Sequence, residues 1–182
     1  MLNGINIGII VTITMLLGGI ILTILINAFL VPFIKTPKNV ISEIIDFMNL
    51  NKKDTFVDLG CGDGKVVLEA YRNSKCKCYG FDISPIMIIL ARTNRILNFP
   101  MMKDIVFEVE NNFEVDMREI TKTYCYLNQK SIDALQKKFS AYLNSGGELY
   151  TYRYEMKDLP AKKKVKLSNQ EFLYIYKGPV GK

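Results

Sequence analysis

Hydrophobic positions along the chain fall into two regimes that meet near residue 35. Residues 5–31, INIGIIVTITMLLGGIILTILINAFLV, are apolar or uncharged on every side of a helix and hold no ionisable side chain. Such a run exceeds the roughly 20 residues a helix needs to cross a bilayer core, and it predicts one transmembrane helix within an anchor segment, 1–34. A cleaved leader would call for a basic stretch before the run, a shorter apolar core and a small-residue cleavage site after it. From residue 35 the pattern becomes periodic. Val40, Ile41, Ile44, Ile45 and Met48 recur at helical spacing, predicting a helix with Thr36 as N-cap and Pro37 at the first helical position. TFVDLG, a short apolar run closed by glycine, reads as a buried strand.

The alternation then continues. A helix is expected over 65–73, a strand at CYGFDI, a helix over 85–97 capped by Ser84, and strands at DIVFEVE and TYCYL. Next comes an amphipathic helix carrying Ile132, Leu135, Phe139 and Leu143 that stops at Gly146-Gly147, followed by a fifth strand at ELYTYRYE. KKVKL and FLYIYK flank the turn SNQE and read as a hairpin. Strand and helix alternating through one domain, 35–182, means an α/β fold: a doubly wound, mostly parallel sheet covered on both faces, with an antiparallel strand at one edge.

Charge changes this picture in one respect. The chain has 24 Lys+Arg against 18 Asp+Glu, a net charge of +6 and a pI near 9.0. All of that side-chain charge lies beyond residue 34, and Lys35, Lys38, Lys52 and Lys53 follow the apolar run. The positive-inside rule therefore places the domain on the cytoplasmic side of a membrane, where a basic surface suits anionic lipid. A nucleic-acid partner is not expected, because no arginine cluster or aromatic-basic groove motif stands out. In that reducing compartment Cys61, Cys76, Cys78 and Cys125 read as buried thiols, and without a histidine or a second close cysteine pair no metal site is expected.

The candidate chemistry sits in VDLGCGDGK, residues 57–65, where a strand meets a helix through Gly-x-Gly-x-Gly. Ligands of open parallel sheets lie beyond the carboxyl ends of the strands, and Gly60 and Gly62 let backbone approach one closely. A pyrophosphate loop spaces its third glycine one residue later, and here Asp63 stands where a phosphate would rest. The loop fits a cationic, phosphate-free nucleoside. Asp82 ends the next strand, where a carboxylate can accept from both ribose hydroxyls. After the third strand Asn111 can pair with an adenine edge and Phe113 can pack on its ring. Asp58 would answer an amino group. Together with Cys61 and Ile83 these positions predict an S-adenosylmethionine site.

Through VDLGCGDG, GFDIS and the closing strand pair, the chain resembles the Rossmann-like, seven-stranded class I S-adenosylmethionine-dependent methyltransferases. It is most similar to a small subgroup of protein lysine methyltransferases, the archaeal broad-specificity enzymes and the membrane-anchored mitochondrial ones, over residues 31–176. FIKTP before the first helix and YRYEMKDLP after the fifth strand carry this resemblance. It implies that Thr36 closes over the cofactor and that the acceptor is a lysine of a membrane-associated protein. Where the subgroup is apolar with a proline after the fourth strand, this chain has Leu127-Asn128-Gln129, and Asn111 replaces an acid on the adenine side. Tyr124, Tyr126 and Asn128, then Tyr152, Tyr154 and Glu155, are the candidates for an acceptor channel. Tyr126 would line it, Asn128 would orient the amine, and Glu155 would hold the ammonium or take its proton. A histidine base is excluded, since the chain has no histidine. Methylation of a lipid or quinone-like molecule, or binding of the cofactor without transfer, remain the other readings.

Overall fold

The structure, a computed structural model, describes residues 4–30 and 35–178, with side chains from 7–23 and 35–178. It divides into two units, Met1–Phe33 and Ile34–Lys182. The first holds α1 (Gly4–Leu30), a helix of 27 residues. Its described side chains span fewer positions than the roughly 20 a crossing needs, and among the described residues no helix is long and apolar enough to cross a membrane. The expected spanning helix is therefore not shown, and both ends of the predicted span lie outside the described side chains.

In the second unit every expected element forms. In chain order these are α2 (Lys38–Met48), β1 (Thr55–Leu59), α3 (Lys65–Ser74), β2 (Lys77–Asp82), α4 (Pro85–Asn98) and β3 (Ile105–Val109). They continue with β4 (Lys122–Cys125), α5 (Gln129–Asn144), β5 (Glu148–Tyr152), β6 (Lys163–Lys166) and β7 (Phe172–Lys177). The seven strands run in the order β3-β2-β1-β4-β5-β7-β6. β1 to β5 are parallel, whereas β7 lies antiparallel between β5 and β6. The antiparallel strand is thus second from the edge, because the hairpin inserts its later strand against β5 and leaves β6 outermost.

Alternation along the strands divides the core. Phe56, Cys78, Tyr124 and Tyr150 pack with α2, α3 and α4, and all five periodic positions of α2 are buried. Val57, Leu59, Cys125 and Leu149 point the other way, onto Ile132, Leu135 and Phe139 of α5. Each such large apolar side chain contributes about 1.5–3 kcal/mol on burial, so these two clusters fix the sheet against its helices. The second face is covered less fully than expected: α5 is its one helix among the described residues, and Val57, Tyr79 and Phe81 there border an open groove of about 440 Å³. β1 and β4 are neighbours at the centre of the sheet while the chain order runs outward on both sides, so the switch in strand order opens at their carboxyl ends.

Candidate active site

The loop between β1 and α3 sits at that switch. Gly60, Gly62 and Gly64 have φ values of 79, 53 and 79°, the left-handed region open to glycine. The crowding is as strict as the dihedrals. A Cβ on Gly60 would lie 2.7 Å from Leu127 Cδ2, and one on Gly64 2.6 Å from the Phe107 ring. Two successive N–H groups, of Gly60 and Cys61, donate to the Phe81 carbonyl at 2.8 and 2.9 Å, pinning the loop to the end of β2.

Asp82 locks the same junction with its side chain. One carboxylate oxygen accepts from the Gly62 N–H at 3.0 Å and the other from the Ser84 N–H at 2.8 Å. A carboxylate has about four acceptor positions, so each oxygen keeps capacity for one further donor, which is what a ribose diol supplies. Ser84 caps α4 as expected. Register places Asp82 opposite Val109, so Ile83 and the segment after β3 emerge side by side. Ile83 and Phe113 are both exposed there. The Asn111 Oδ1 accepts from the Phe113 N–H at 3.2 Å and its Nδ2 reaches Glu114 at 3.4 Å, so part of its amide already holds the turn.

Charge around the loop is dominated by carboxylates. Asp58 is almost wholly buried, and burial first, then the charges of Asp82 and Asp63, hold its carboxyl well above the usual range. Asp63 is paired with Lys65 by a hydrogen bond and with Lys35 at 3.7 Å. A ligand cation placed at Asp58 relieves the repulsion among these groups, while a phosphate increases it. Cys61 is buried and its thiol is pushed up by burial and by Asp58, so it is a wall of the loop and not a nucleophile.

Thr36 corrects the expected cap. The N-cap of α2 is Pro37, with no side-chain cap bond, and the Thr36 hydroxyl instead meets the buried Tyr124 hydroxyl at 2.8 Å. Tyr124 is the β4 register partner of Asp58, so the bond carries Thr36 to the same sheet face as that carboxylate.

The strand ends of β4 and β5 hold a tyrosine cluster. Tyr126 meets Tyr152 edge-on at 4.7 Å between centroids and stacks on Tyr154 at 6.4 Å. Arg153 Nη1 donates to the Tyr126 hydroxyl at 3.4 Å. Arg153 has a φ of 72°, and this left-handed residue ends β5 three positions before the expected limit at Glu155. It turns Tyr154 back onto Tyr126, a conformation costly for a non-glycine residue and concentrated at functional sites. Asn128 is the N-cap of α5: its Oδ1 accepts from the Ser131 N–H at 2.9 Å. Glu155 is exposed, and its backbone carbonyl accepts from Gln129 Nε2 at 2.8 Å. Tyr126 and Asn128 share one strand-to-helix segment, and Glu155 is tied to the first residue of α5. Composition and spacing carried no signal for the Lys35–Asp63 pair or for Leu127 against Gly60, because both are contacts between distant turns.

Comparison with known proteins adds three findings. The profile of the ANTKMT methyltransferase domain matches residues 58–163. A protein-lysine N-methyltransferase of Saccharolobus islandicus is 25% identical over 150 residues, 80% of this chain and 92% of that protein. The crystal structure of an RNA methyltransferase from Salinibacter ruber in complex with S-adenosyl-L-homocysteine superposes with a TM-score of 0.75 at 23% identity, covering 81% of this chain and 97% of that one.

Proposed function

The chain belongs to the ANTKMT methyltransferase domain family, and from that premise we propose that it is a membrane-anchored protein-lysine N-methyltransferase that takes its methyl group from S-adenosylmethionine. The observation that carries the reading is the juxtaposition of an acidic glycine loop with a tyrosine cluster one strand away. Asp58 would take the methionine ammonium and Asp82 the ribose hydroxyls. Asn111, Ile83 and Phe113 would hold the adenine, and Thr36 with Gly60, Cys61 and Gly62 would close the remaining side. The cofactor supplies an electrophilic methyl on a cationic sulfur.

The acceptor must arrive as a neutral amine. A lysine with a reference pKa near 10.4 is protonated at pH 7, and presenting it neutral costs about 4–5 kcal/mol. Desolvation against the rings of Tyr126 and Tyr154, with the buried Tyr152 behind them, disfavours the ammonium. Attack then requires nitrogen, methyl carbon and sulfur in line at about 3–3.5 Å, so positioning supplies most of the rate. Asn128 Nδ2 and the Tyr126 hydroxyl are placed to orient the amine. Glu155 can hold the incoming ammonium and receive its proton, which leaves by way of exposed carboxylate to solvent. The similarity to the Saccharolobus islandicus lysine enzyme supports this acceptor. The uncharged run through α1, followed by Lys35 and Lys38, supports a single-pass anchor with the domain on the cytoplasmic side and a substrate protein at the membrane surface.

Incubation of the protein with labelled S-adenosylmethionine and membranes from cells lacking it tests the reading. Label is expected in protein, on lysine. Label in extractable lipid, label in RNA, or cofactor binding with no transfer to any membrane fraction would each overturn it.

A further inference from the structure

Residues 84–103, SPIMIILARTNRILNFPMMK, contain three cations and no acidic side chain; the first acid after them is Asp104. The structure uses little of this segment's apolar surface for the core. α4 buries only Ile88 and Ala91. Ile89, Leu90, Ile96 and Leu97 on the helix, and Met101 and Met102 just after it, are exposed, Leu97 by 75% and Met101 by 82%. The cations beside them keep their charge unneutralised. Arg92 donates to the Phe107 carbonyl and Arg95 to the Met102 carbonyl, both neutral acceptors, and among the described residues neither they nor Lys103 takes part in an ion pair. Lys75 adds a further charge at the end of the helix, its Nζ 5.6 Å from the Phe99 ring.

We propose that the outer face of α4 with the following residues 99–103 is an interfacial docking surface for an anionic bilayer. Aliphatic side chains flanked by cations, with no acid among them, match an interface in which acyl chains lie beneath negative headgroups. A second copy of the chain is a poorer occupant. A two-fold contact would set the same patch, with Arg92, Arg95 and Lys103 and no acid between Ser84 and Lys103, against itself. Where the chain enters the catalytic unit also bears on the choice: Lys38 and Ile41 of α2 line one groove of about 410 Å³ with Asn94 and Asn98 of α4. A tether arriving at residue 38 therefore arrives beside this surface. Because α4 starts three residues after Asp82, docking fixes the height of the active site above the headgroups. That restricts acceptors to lysines close to the membrane plane. This inference rests on the anchored reading of the chain.

The test uses the full chain in nanodiscs. All four native cysteines are buried, so Leu97→Cys or Met101→Cys takes an environment-sensitive fluorophore selectively, with Ala134→Cys on α5 as the control. In discs containing phosphatidylglycerol, the labels at 97 and 101 are expected to shift to the blue and to be quenched by lipid-borne quenchers, while the label at 134 stays aqueous. Lys103→Gln is expected to shift the docked-to-undocked ratio about fivefold, the effect of one interfacial cation. Labels at 97 and 101 that stay accessible to an aqueous quencher in incorporated protein overturn the docking surface and leave the anchor standing. Disulfide-linked dimers through 97 in discs carrying two copies overturn it in favour of self-association. Failure to enter discs at all overturns the anchor, and the docking surface with it.

Discussion

The glycine loop and the tyrosine wall proposed to receive the acceptor lie on adjacent strand ends, yet they are built on opposite principles. In the loop, backbone does the holding: three left-handed glycines, two N–H groups on the Phe81 carbonyl, and Asp82 bridging Gly62 to Ser84. The wall is made of side chains of ordinary tyrosine and asparagine type, whose placement depends on one left-handed arginine and one helix cap. Backbone recognition tolerates few residue types at fixed spacing, whereas a side-chain wall can be assembled from many.

Substitution at Gly64 should separate the two most sharply. Gly64→Ala places a methyl against the Phe107 ring in a positive-φ position. Together the backbone and packing penalties should cost about 2–4 kcal/mol in denaturant unfolding. Tyr126→Ala, at a half-buried ring of the wall, should cost less. If Tyr126→Ala destabilises the fold as much as Gly64→Ala, the division between a structural loop and a recognition wall fails.

That division also explains what could be read from sequence. Glycine spacing, Asp58 and Asp82 were legible because their geometry leaves few alternatives. The same holds for all seven strands and for the five buried positions of α2, where period alone decides the face. Thr36 was misplaced as a cap because a Thr-Pro pair before a helix also serves a hydroxyl that bonds elsewhere, here to Tyr124. The early end of β5 was hidden because Arg153 gives no compositional warning of a left-handed backbone. The order of β6 and β7 depends on which hairpin strand pairs with β5, and neither strand's pattern specifies that.

Asp58 and Asp82 should respond differently inside the loop. Asp82→Asn keeps one acceptor oxygen but sets an amide donor against one of the two backbone N–H groups, and it removes the charge proposed to face the ribose, so S-adenosylmethionine affinity should fall about 10–100-fold, with a loss of stability of about 1–3 kcal/mol. Asp58→Asn should weaken binding to a similar extent but raise the melting temperature of the ligand-free protein, because it removes a buried, repelled carboxylate. The sign in pH follows from the raised folded-state pKa. Below the unfolded pKa of about 3.9 the carboxyl is neutral in both states and carries no penalty. As pH rises through the raised folded pKa, the native state is destabilised relative to that limit. A cation bound at Asp58 offsets this, so the melting shift produced by S-adenosylhomocysteine, through its ammonium, should grow as pH rises above the ordinary carboxylate range in the parent and stay flat in Asp58→Asn.

On the wall, Tyr126→Ala should lower kcat/KM for a lysine substrate about 2–10-fold, the range of an aromatic contact of about 0.5–1.5 kcal/mol, while cofactor Kd is unchanged. A matching change in cofactor Kd would join the two regions into one site without division of labour.

The smallest effects distinguish structure from catalysis at Asn128 and Glu155. Asn128→Ala loses the cap on α5 and should cost about 1 kcal/mol of stability, whereas Asn128→Ser keeps a capping oxygen and should restore it. The amide Nδ2 is lost in both variants, so the serine variant isolates its role. Turnover that stays low in a fully stable Asn128→Ser protein assigns Nδ2 to orienting the amine, and normal turnover reduces Asn128 to a cap. Glu155→Gln leaves the carbonyl bond to Gln129 in place and removes only the charge. It should raise KM for the protein substrate a few-fold and leave cofactor Kd unchanged. If Asn128→Ser and Glu155→Gln both turn over normally at every pH, amine orientation belongs to the tyrosines alone, and the wall acts by desolvation.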